Sequence, residues 1–152
     1  MTQTDTITRG AARLLTELGF APLAEVPLTN GRRADLVGIG RTGELVVVEV
    51  KSGLQDFRSD NKWPEYLAYA DRFFFAVDRD FPFEVLDEEA SLPARTGIII
   101  ADRFGGDIVR EAAVHKVNAA RRKKLTLSIA RLGTSRLAAG LYGQVSSLMR
   151  SP

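Results

Sequence analysis

The chain has 152 residues, 45% of them hydrophobic, with a formal net charge of +2 and no cysteine. That is enough for one compact domain with a sizeable core, and it excludes disulfides and thiolate zinc sites. His115 is the sole histidine, so a metal held by this chain must rest on oxygen ligands.

The opening Met-Thr-Gln-Thr-Asp-Thr lacks a basic stretch followed by an apolar one, and no apolar run is long enough to span a bilayer. A cytoplasmic protein with no membrane contact is the expectation. Ile7, Ala11, Leu14, Leu15 and Leu18 recur at helical spacing and predict a helix from about Asp5 or Thr6 to a stop at Gly19. Arg9, Arg13 and Glu17, four apart, form a solvent-facing row. A short strand follows around Leu23 to Leu28, carrying Glu25. Asn30-Gly31 is a tight-turn signal. Arg32 and Arg33 come next; they suit a phosphate, neutralisation of an acidic site, or simple exposure at a strand edge.

The segment from Asp35 to Lys51 is the most informative. An acid opens one apolar run, Arg41-Thr-Gly43 makes a turn, and a valine-rich run ends in Glu49-Val-Lys51. Side chains alternate along a strand, so Glu49 and Lys51 share one face while Val46, Val48 and Val50 take the other. Two charged groups ending such a strand are costly to bury unpaired. A divalent cation shared with Asp35 would pair them, since carboxylate oxygens suit Mg²⁺ (or Mn²⁺) and an adjacent ammonium suits a phosphate or an attacking water. The plain alternative is a surface hairpin with an ion pair at Glu49 and Lys51.

Residues 54–62 are polar and read as a loop or short helical turn. Pro64 is favourable in a first helical turn, so a helix is expected from about Pro64 to Ala70. Lys62, Trp63 and Tyr66 are positions that can meet DNA or brace a site. Trp63 can stack on a base, or pack against the sheet. Arg72 to Val77 predicts a central strand buried on both faces. Residues 78–93 read as a loop with at most one helical turn, Thr96 to Asp102 as a strand, and Ile108 to Ala112 as a strand pairing back through a turn at Phe104-Gly-Gly-Asp107. Asn118 caps a helix from Ala119 to about Leu132; Gly133-Thr134 is expected to break it, with a last helix continuing to about Met149.

The charges are segregated. Residues 54–90 hold ten acids against four bases, and residues 103–152 hold ten bases against two acids. The basic third can attract a phosphate backbone, or be the solvated face of a helix. Of its consecutive bases, Arg121 and Lys124 are the expected pair at DNA.

The pattern Asp35…Glu49-x-Lys51 on a hairpin resembles the signature of the PD-(D/E)XK nuclease superfamily. The further run Gly31-Arg-Arg-Ala-Asp35, Val-Glu49-Val-Lys51-Ser and Asp56-Phe-Arg-Ser-Asp60-Asn-Lys62-Trp63-Pro-Glu-Tyr66 is similar to the MmcB-like DNA repair family. The resemblance implies an α/β fold with a restriction-endonuclease-like mixed sheet, an α-β-β-β-α-β core over about 4–102, and a C-terminal hairpin and helical part over about 103–152, all one domain. It implies Asp35 and Glu49 as metal ligands and Lys51 as the charged assistant. Related resolvases carry a helix acid about ten residues before the glycine; here Thr8 and Arg9 stand there, and Glu25 is the substitute candidate. The expected activity is metal-dependent DNA hydrolysis in repair. The alternative is a non-catalytic DNA-binding or accessory protein keeping the fold, and a homodimer or a repair partner is left open.

Overall fold

The computed structural model describes residues 1–143. Six strands form one mixed sheet in sequence order: β1 (Ala21–Pro27), β2 (Arg33–Ile39), β3 (Leu45–Val50), β4 (Arg72–Val77), β5 (Thr96–Asp102) and β6 (Gly105–Arg110). β1, β2 and β3 make an antiparallel meander, β3, β4 and β5 are parallel, and β6 returns antiparallel to β5. A helix, α1 (Gln3–Glu17), precedes the sheet. The β3–β4 crossover holds the short helix α2 (Leu54–Ser59) and a 3-10 helix, Trp63–Tyr69, and the long helix α3 (Ala119–Tyr142) ends the described chain. The α-β-β-β-α-β order anticipated from the sequence is therefore present in a mixed sheet flanked by helices.

Alternation along β4 explains its unbroken hydrophobicity. Phe74 and Ala76 join Leu36, Val46, Val48 and Val50 under α1, which contributes Ile7, Ala11, Leu14 and Leu15. Phe73 and Phe75 face the opposite layer of Phe57, Trp63, Tyr66, Tyr69, Leu125 and Ile129. α1 lies close to the sheet because of Gly10, where a Cβ would sit 1.9 Å from the Asp102 carbonyl oxygen and 2.5 Å from that of Gly105. Any side chain there would lift the helix off the β5–β6 turn.

Several local expectations differ from the structure, among them the last strand, which spans Gly105–Arg110 rather than Ile108 to Ala112. α1 begins two residues earlier than Asp5, because Thr2 and Asp5 form a reciprocal capping box. Within the stretch expected as a loop or short helical turn, residues 54–59 form a short helix, since Phe57 gains edge-on contacts with Phe75 at 5.4 Å and Phe81 at 6.1 Å; the helix expected from about Pro64 winds instead as a 3-10 helix from Trp63. Gly133 does not break α3. It faces Leu23 at ordinary contact distance, and a helical glycine costs only about 1 kcal/mol. The remainder of the anticipated last helix, beyond residue 143, lies outside the described residues.

Arg122 and Asp71 fasten α3 to the sheet. Asp71 is 3% exposed and accepts from the Leu45 and Val117 amides, while the Arg122 guanidinium meets both of its oxygens at 2.6 Å. Burial opposes ionisation of this acid, but Arg122 and the two amides outweigh it and hold Asp71 at about 2.

Candidate functional site

The β2–β3 ladder runs from Ile39 opposite Leu45 to Leu36 opposite Val48. One step further, Asp35 stands against Glu49. There the strands exchange side-chain contacts: the Asp35 amide donates to Glu49 Oε1 at 3.0 Å, and the Val50 amide donates to Asp35 Oδ2 at 2.8 Å. Each carboxyl thus satisfies a backbone donor of the neighbouring strand.

The electrostatics follow from this geometry. Glu49 is 4% exposed; burial, then the adjacent Asp35 carboxylate, push it up to about 8. Burial raises Asp35 as well, against the Val50 amide and the Lys51 ammonium, which favour its charged form. Near neutral pH the two acids therefore retain a proton between them.

Lys51 is also buried, and its Nζ donates to Asp60 Oδ2 at 2.5 Å. The other Asp60 oxygen accepts from the Lys62 amide at 2.8 Å and the Trp63 amide at 3.2 Å, which starts the 3-10 helix. Burial alone would raise Asp60, but Lys51 and these amides hold it below the usual carboxylate range. Asp56 Oδ2 closes the same loop by accepting from the Ser52 amide at 2.9 Å. Tyr66 donates its hydroxyl to the Arg33 carbonyl at 3.1 Å; burial and then Glu49, Asp35 and Asp60 push it up to about 12. The sequence reading missed Asp60 as the partner of Lys51. Its signal was an aspartate nine residues after the lysine, in the same polar segment.

The donor set fits a hard divalent cation. Mg²⁺ is commonly held through one or two carboxylates, with water and phosphate oxygens completing its octahedron. A carboxyl pair that retains a proton because it is buried has the chemistry to exchange that proton for a cation. Among the described residues, no group of three or more His, Asp or Glu side chains is arranged to hold a metal. Glu25, the substitute candidate for a third acid, is engaged elsewhere. Its backbone is left-handed, at φ 54°, and its exposed carboxylate lies 3.9 Å from the Arg33 guanidinium, while its carbonyl accepts from Arg136.

The residues anticipated at DNA divide. Arg32 pairs with Glu65 at 3.1 Å and Arg33 is exposed. Lys62 is exposed beside the site loop. Trp63 is not a base platform in this fold: it is 4% exposed, stacked on Phe73 and edge-on to Phe75. Tyr66 is buried and braces β2. Arg121 lies over the Tyr69 ring at 5.0 Å and, with exposed Lys124, lines a cavity of about 270 Å³ together with Thr29, Asn118 and Ser128. Arg122, adjacent in sequence, is committed to Asp71.

A model of the family described as DNA repair protein MmcB-like matches residues 2–143. The chain belongs to the MmcB-like DNA repair protein family. A solved structure similar in overall shape is a protein of unknown function from Silicibacter pomeroyi, 39% identical, with a TM-score of 0.87 and 95% of each chain covered. A repair endonuclease from Pyrococcus abyssi is 19% identical, with a TM-score of 0.40, covering 59% of this chain and 41% of that one. No curated protein matches this MmcB-like chain. None of its described helices is long and apolar enough to cross a membrane.

Proposed function

We propose that this MmcB-like protein is a metal-dependent DNA endonuclease acting in repair, with Asp35 and Glu49 as ligands of Mg²⁺ or Mn²⁺. The observation that carries the reading is the Asp35–Glu49 pair, a buried and a half-buried carboxyl set against each other at a strand end, Glu49 pushed up to about 8. Amide side chains would satisfy the same two backbone donors without the cost of burying charge. Retaining acids there makes sense if a cation uses them.

When bound, the ion would polarise a phosphodiester and lower the pKa of a water. Asp35 and Glu49 would hold the ion at the end of the hairpin. Lys51, beside them, neutralises charge that develops on the phosphorus oxygens; to do so its Nζ turns from Asp60 towards the phosphate. Hydrolysis adds a water oxygen to phosphorus, breaks one P–O ester bond and delivers a proton to the leaving oxygen. Arg33, Lys62, Arg121 and Lys124 are the bases available to the DNA backbone.

A non-catalytic, DNA-binding repair accessory is the second reading. It is favoured by Lys51 being held on Asp60 with a side chain only 5% exposed. Incubating supercoiled plasmid, single-stranded and branched DNA with Mg²⁺ or Mn²⁺ separates the two. Cleavage by the wild type that is absent in Asp35→Asn and Glu49→Gln supports the endonuclease. DNA binding with no cleavage under either ion supports the accessory.

A further inference from the structure

α3 has two unlike faces. Leu125 and Ile129 pack into the sheet core with the partly buried Leu132, and Arg136 reaches the Ala24 and Glu25 carbonyls. On the opposite side Leu127, Leu137 and Leu141 are 60%, 64% and 65% exposed. At helical pitch, Leu127, Ala130, Thr134, Leu137, Ala138 and Leu141 fall within a sector of about 100° and recur three and four residues apart over roughly 21 Å. The stripe begins in a groove of about 900 Å³ between α3 and the segment leading into it, floored by Val117, Leu127 and Ala130 and rimmed by Lys116 and Lys123. Ala130 is shared with the next groove along, lined by Arg131, Thr134, Ser135 and Ala138, so the two grooves adjoin.

The charges choose the occupant. α3 carries Arg121, Arg122, Lys123, Lys124, Arg131 and Arg136 and no acid. We propose that this face docks an acidic amphipathic helix of a partner protein, its apolar side on the Leu127–Leu141 stripe and its carboxylates against Lys116, Lys123 and Arg131. A stripe of about four turns matches a helix better than a small ligand. A second copy laying its own α3 there would set base against base, which disfavours self-pairing. A phosphate backbone has no apolar surface to cover three leucines, and a bilayer cannot fill a concave groove. The assignment is independent of the nuclease reading and uses none of the residues of the acid pair.

The probe is a fluorescent designed peptide of about 20 residues, with leucines at helical three and four spacing flanked by glutamates, titrated with the full chain. A second peptide carries lysines in place of the glutamates. The expected result is saturable binding of the acidic peptide only, weakened at least about tenfold in Leu127→Gln/Leu137→Gln. Both leucines are solvent-exposed, so circular dichroism and duplex DNA binding of this variant should match the wild type. Four results would overturn the assignment. They are no binding of the acidic peptide, equal binding by the variant, loss in the variant of binding to phosphatidylglycerol vesicles rather than to the peptide, or concentration-dependent self-association that the variant abolishes.

Discussion

Replacing Glu49 with glutamine should flatten the pH dependence of stability. In the unfolded chain this acid ionises near 4.5, and in the fold at about 8. Between those values the native state holds a proton that the unfolded state has released. Stability present below about pH 4.5 is therefore lost as pH rises towards 8. At about 1.4 kcal/mol per unit, the full span corresponds to on the order of 3–5 kcal/mol, part of it shared with Asp35 through their coupling. Glutamine keeps an oxygen for the Asp35 amide and never charges. The difference in unfolding free energy, variant minus wild type, should thus rise by a few kcal/mol between about pH 5 and pH 8.5. Urea denaturation at several pH values without divalent cations measures it, and titrating groups other than the coupled Asp35 cancel in the difference. A difference that stays constant across that range would show that Glu49 ionises in the fold as it does in the unfolded chain, and the argument from burial would fail.

Arg122→Ala leaves the buried Asp71 with only its two amide partners, so it should cost about 3 kcal/mol in urea denaturation while leaving the salt dependence of DNA binding unchanged. Gly10→Ala drives a methyl into the Asp102 and Gly105 carbonyls and should lower stability by about 2 kcal/mol or more, visible as a drop in Tm. Trp63→Ala should cost about 3–5 kcal/mol from the lost aromatic cluster, and Trp63→Phe much less, with DNA affinity of the folded Phe variant unaltered in a filter-binding assay. If Arg121 and Lys124 meet phosphates, the double alanine variant should reduce the slope of log K against log salt by about two; an unchanged slope would leave them as a solvated helix face.

The hairpin and its acids were legible because period-two alternation fixes which residues share a face, and a glycine-containing turn fixes register. From these, Asp35 opposite Glu49 follows with no knowledge of the rest of the fold. β4 was legible for a related reason: an unbroken Phe-Phe-Phe-Ala-Val run fits only a strand covered on both sides. What could not be read depends on contacts distant in sequence. The commitment of Arg122 to Asp71 spans 51 residues, so its neighbours in the basic run looked equivalent to it. The left-handed Glu25 backbone turns its carboxylate outward, a conformation that a strand-like sequence does not announce. Gly133 carries a helix-breaking signal that α3 overrides through its packed face.

The claim that the acid pair is a cation site is tested most directly by calorimetric titration of Mn²⁺ into the full chain at pH 7 in two buffers of different ionisation enthalpy. With Glu49 protonated up to about pH 8, a cation that takes both carboxylates must expel that proton. The account predicts one Mn²⁺ per chain, release of close to one proton, and loss of both the binding and the release in Glu49→Gln. No saturable heat in the wild type, or binding of equal strength in Glu49→Gln with no buffer dependence, would contradict it.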